Sequence, residues 1–136
     1  MTAHIDIVPK WTRILVGILA LLNIAFGLMS YFDLTVLFHN TTGLDLANAA
    51  IKNASYEFAA RNLAIGLALG IVAMEGVPES ITIVTIIRAL VEIQTIIITI
   101  VSGNISAMLL MPLAFLAVEI FIIKTMISVI QKRDAQ

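Results

Sequence analysis

Five polar residues stand in stretches of chain that are otherwise apolar: Asn23, Arg61, Arg88, Glu92 and Glu119. Carboxylates and guanidinium groups can hold an ion, orient a polar solute or pass a proton, and in an apolar setting each of those abilities is sharpened. The same setting makes them expensive, at about 2.5–3.5 kcal/mol per charge on the mildest insertion scale, so such residues are paired, wetted or functional. The four charges balance, two positive against two negative, as internal pairing requires. Arg88 and Glu92 are four apart, which on a helix brings them within reach of each other. Glu119 then needs Arg61, a water or its own proton. These five residues form the candidate binding site.

Spacing adds to this. Thr85, Arg88, Glu92, Thr95, Thr99 and Ser102 step by 3, 4, 3, 4 and 3 residues, a heptad seam that puts all six on one helical face. The rest of that segment is mainly Ile, Val, Leu and Ala, so the polar face is expected to look inward and the Ile-rich back outward to lipid. Gln94 falls off the seam and is expected at a neighbouring helix or subunit. Gly17, Ala20, Asn23, Gly27 and Ser30 make a small-residue stripe, and Gly66 and Gly70 make a G-x-x-x-G; both allow helices to approach closely.

Four apolar segments position these groups, at about 14–32, 58–76, 81–101 and 107–130. Crossing the roughly 30 Å hydrocarbon layer takes about 20 residues of helix. The third segment is so rich in Ile, Val and Thr that a short piece of it would read as a strand. Its length decides for a helix. Counting along the segments sets Asn23, Glu92 and Glu119 near one depth, at the tenth of 19, twelfth of 21 and thirteenth of 24 positions. Arg61 is closer to one interface. Glu75 to Ser80 and Ser102 to Asn104 read as tight turns. The long connection, about 33–57, holds Leu44, Leu46, Ala47, Ala50 and Ile51 at helical spacing, which suggests a short interfacial helix.

Composition agrees. Of 136 residues, 60% are hydrophobic and 12% charged, with a mean hydropathy of +1.05. A soluble domain carries about 25% charged residues, so the chain reads as an all-α integral membrane protein, a four-helix bundle in a single domain. The absence of cysteine excludes thiolate chemistry, disulfides and iron–sulfur ligation. A net charge of −1 argues against nucleic acid as a partner. His4 and His39 have no second ligand at metal spacing, and no cofactor motif is present. Lys10 and Arg13 precede the first span and Lys132 and Arg133 follow the last, so both termini are expected on the cytoplasmic side of a cell membrane. The small-x-small triplet Ala25-Phe26-Gly27 would suit a cleaved leader, but a retained first helix is the expectation. Lys124 is expected to snorkel toward the cytoplasmic interface. The sequons at Asn40, Asn53 and Asn104 all fall on the outer side, where they matter only if the source glycosylates.

Arg61-Asn62-Leu63-Ala64-Ile65-Gly66, Arg88-Ala89-Leu90-Val91-Glu92 and the overall length resemble the small four-helix membrane proteins that include the DoxX-like families. The resemblance implies the layout of the whole chain and assigns no substrate. Small multidrug resistance exporters are similar in size but carry their key Glu in the first helix, where this chain has Asn23. Three classes of function follow. The foremost is an accessory or interaction subunit in the bilayer, its partners lipid and other membrane subunits or a second copy. The next is binding or transport of a small solute, ion or lipid through the seam of Arg88, Glu92 and Glu119. The last is a cofactor-free membrane enzyme on a lipophilic substrate, which would have to run on Glu and Arg alone.

Overall fold

A computed structural model describes residues 8–33, 47–101 and 109–135. All of its regular structure over those residues is helical: α1 Lys10–Phe32, α2 Ala49–Glu75, α3 Pro78–Val101 and α4 Leu110–Asp134. The shortest has 23 residues, about 35 Å at 1.5 Å per residue, so each is long and apolar enough to cross a bilayer. The β-branched third segment is helical from end to end. Of the expected interfacial helix, Ala47, Ala50 and Ile51 are described: Ala47 is a turn residue, and Ala50 and Ile51 belong to the first turn of α2, which runs on unbroken to Glu75. No Gly or Pro interrupts that stretch before Gly66, so nothing in it stops a helix from continuing. His4, His39, Leu44, Leu46, Ala107, the sequons at Asn40 and Asn104 and the turn at Ser102–Asn104 lie outside the described residues. Asn53 is exposed within α2, and Ser55 of its sequon is buried.

The chain divides into two compact units. One is Leu15–Ile71, built from most of α1 and α2. These helices run antiparallel and touch through small residues. A Cβ added at Gly27 would come within 2.8 Å of Leu63 Cγ and 3.0 Å of the Ala59 carbonyl oxygen. One added at Gly66 would come within 2.9 Å of the Ile24 nitrogen and 3.0 Å of the Ala20 oxygen. Backbone thus packs on backbone at both places, the arrangement small residues permit. Gly70 is looser, 3.9 Å from Ala20 Cβ, and Gly17 has nothing within 4 Å. Ser55 Oγ donates to the Ser30 carbonyl at 2.9 Å, and Tyr31 and Tyr56 stack at 5.6 Å.

The other unit is Met1–Ile14 with Val72–Gln136. Here α3 packs against α4, and Arg133 at the end of α4 meets Glu79 at the start of α3 at 2.5 Å, which makes the pair antiparallel. Both of those side chains are about 40% exposed, so the contact orients the helix ends more than it stabilises them. The chain leaves α2 through Gly76, at φ +68, whose N–H donates to the Val72 carbonyl at 3.0 Å. That left-handed residue closes the helix, and Pro78 starts the next with its φ already set. Arg13 finishes the α2 terminus: its Nε donates to the Ala73 carbonyl at 2.9 Å and its Nη2 to that of Met74 at 2.8 Å. A cation on the last carbonyls also complements the helix dipole. Trp11 packs its ring against Phe121 at 5.4 Å.

Candidate functional site

The heptad spacing on α3 puts Thr85, Arg88 and Glu92 on one face, and all three are buried. The seam does not stay inside: Thr95 is exposed and Thr99 only partly covered. A straight α-helix has 3.6 residues per turn, so a row with a 3.5-residue period drifts about 20° per heptad. Over the two heptads from Thr85 to Thr99 that drift amounts to about 40°, one contribution to the row's leaving the buried side. The threonines tolerate this because each satisfies its own hydroxyl, Thr95 Oγ1 donating to the Val91 carbonyl and Thr99 Oγ1 to that of Thr95. Ser102 lies outside the described residues.

On α4, Glu119 is fully buried. Arg88 links the two helices: its Nη1 donates to Glu92 Oε1 within α3, and the same Nη1 lies 3.6 Å from Glu119 Oε1. The guanidinium therefore hydrogen-bonds one carboxylate and faces the other at a longer, purely Coulombic distance. Neither Glu119 oxygen accepts a hydrogen bond, and Arg88 Nε donates none. Phe115, one turn before Glu119, has its ring centroid 5.2 Å from the guanidinium carbon, close enough for the ring quadrupole to attract the cation.

Of the five residues expected to form a site, the structure joins Arg88, Glu92 and Glu119. Asn23 and Arg61 belong to the other unit. Asn23 is buried on α1 with its Nδ2 donating to the Leu19 carbonyl at 2.7 Å, and Arg61 is exposed on α2. The cation that faces Glu119 is Arg88, at 3.6 Å, although the hydrogen bond of that nitrogen goes to Glu92. Phe115 was not among the expected residues, although its spacing of four from Glu119 places both on one face of α4. Lys124 and Gln94 are exposed. Among the described residues no group of three His, Asp, Glu or Cys side chains could hold a metal ion.

The chemistry available is that of two carboxylates and one guanidinium in a buried setting beside an aromatic ring. It can bind and orient a small polar or charged group. No protein-family model, curated protein or solved structure matches the chain.

Proposed function

We propose that this chain is a multi-pass protein of the cell membrane, with both termini cytoplasmic, that binds a small solute or ion at Arg88, Glu92 and Glu119. The observation that carries the reading is Glu119, fully buried with neither oxygen hydrogen-bonded. An ion pair kept only for structure satisfies its lone pairs, because leaving a buried charged group short of partners costs more than the pairing returns. A carboxylate kept short of partners suits a group that waits for a ligand, and sites of this kind are commonly held at a cost in stability. The four helices supply the setting, with exposed Leu21, Phe32, Met74, Ile98 and Val101 among the side chains suited to lipid.

Glu119→Gln tests it by equilibrium unfolding of the full chain in lipid nanodiscs. The expected outcome is a variant at least as stable as the parent in ligand-free buffer. A loss of about 3–5 kcal/mol, the usual cost of breaking a buried pair, would make Glu119 a structural partner of Arg88 and remove the reading.

The accessory-subunit reading retains one observation of its own. Gln94 is exposed in a row that includes Leu90, Ile97 and Ile98, all exposed as well. A side-chain amide facing hydrocarbon gains by meeting another polar membrane helix. A photo-crosslinking side chain at position 94 should then capture a protein in native membranes, and lipid adducts alone would remove this second reading.

A further inference from the structure

The three charges of the cluster differ in how they are used, and the difference describes what Glu119 can bind. Arg88 is committed to Glu92 by a hydrogen bond, while Glu119 stands 3.6 Å from the same nitrogen and accepts from nothing. Arg88 is the one cation within ion-pair distance of Glu119 among the described residues. With both carboxylates ionised, the cluster has one positive charge against two negative. An occupant that completes its Glu119 side brings a positive charge and hydrogen-bond donors, since both Glu119 oxygens are acceptors. It is small, because Glu119 is wholly enclosed. The Phe115 ring faces the Arg88 guanidinium and helps hold that cation where it is. Among the described residues no group of three His, Cys, Asp or Glu side chains could hold a metal ion, and an anion would meet two carboxylates.

Building on the small-solute reading above, we propose that Glu119 binds a small N–H-donating monocation, ammonium or a primary alkylammonium. The ammonium takes the two open Glu119 oxygens, and Arg88 stays with Glu92, so each carboxylate has its own cation. The requirement for N–H donors, rather than for charge alone, is what distinguishes this site from a general cation sink.

Methylammonium chloride is the probe, titrated against the full chain in nanodiscs at constant ionic strength while Tm is followed. Expected is a saturable rise in Tm with methylammonium, none with tetramethylammonium or sodium, and loss of the rise in Glu119→Gln. Ligand that binds only the folded state raises stability with concentration in this way. Should the variant not fold, 15N-methylammonium supplies the same answer with the parent protein, as N–H protons protected from exchange in the bound form. An equal rise with tetramethylammonium or sodium overturns the proposal, as does a rise that survives Glu119→Gln. A pH-dependent Tm that needs Glu119 but that no cation shifts would leave a proton as the occupant and also overturns it. A rise with acetamide or acetate that is lost in Glu119→Gln overturns the ammonium assignment and leaves the small-solute reading standing. No rise with any probe, together with a destabilised Glu119→Gln, removes both.

Discussion

Arg88 holds two buried carboxylates at once, by a hydrogen bond to Glu92 and by proximity to Glu119. This gives the three positions unequal weight. Arg88→Gln leaves two buried carboxylates without a counter-ion, and it should cost about 3–5 kcal/mol of stability. Glu92→Gln should cost less, because Arg88 still faces Glu119. The double change should cost less than Arg88→Gln alone, with a coupling of about 0.5–3 kcal/mol in a double-mutant cycle measured by unfolding in mixed micelles. Strictly additive losses would show that Arg88 and Glu92 are not partners.

At the scale of the element, glycines of the same helical stripes differ in what surrounds them. Gly27 and Gly66 meet backbone atoms of the facing helix at 3.0 Å or less from where a Cβ would stand, so Ala there forces α1 and α2 apart. Overpacking of this sort costs about 1–3 kcal/mol. At Gly17, where no neighbour lies within 4 Å, Ala should instead be neutral or stabilise by up to about 1 kcal/mol through helix propensity. Gly70→Ala should be tolerated for the same reason. Thermal unfolding of the four single variants checks the ranking; equal losses at all four would contradict the packing described. The turn between α2 and α3 shows the same division between local and distant causes. Gly76 and Pro78 announce it from their own conformational preferences, whereas the Arg13 side chain that completes the α2 terminus comes from 60 residues away.

For the whole molecule the arrangement of charge along the chain sets the expected orientation. Lys10 and Arg13 at one end and Lys132 and Arg133 at the other should hold both termini on the cytoplasmic side. Single cysteines at positions 3 and 135, probed with a membrane-impermeant maleimide in intact cells, should both stay unlabelled until the membrane is opened. Labelling of either one in sealed cells would reverse or break the proposed topology. No native cysteine interferes.

By itself the sequence determined that there are four long apolar helices, and it determined the turn at Gly76 and the pairing of Arg88 with Glu92. Each of these depends on residues within a few positions of one another, through hydropathy, periodicity and conformational preference. It began the second span at about residue 58, whereas α2 begins at Ala49, and it extended the polar seam beyond Glu92, where Thr95 is exposed. Only the tertiary structure decided that Arg88 is shared with Glu119, that Phe115 stands over it, and that Gly27 and Gly66 are crowded while Gly17 is not. Those facts depend on how one helix is rotated and shifted against another. That choice is made by the packing of many side chains together, and no single spacing along the chain records it.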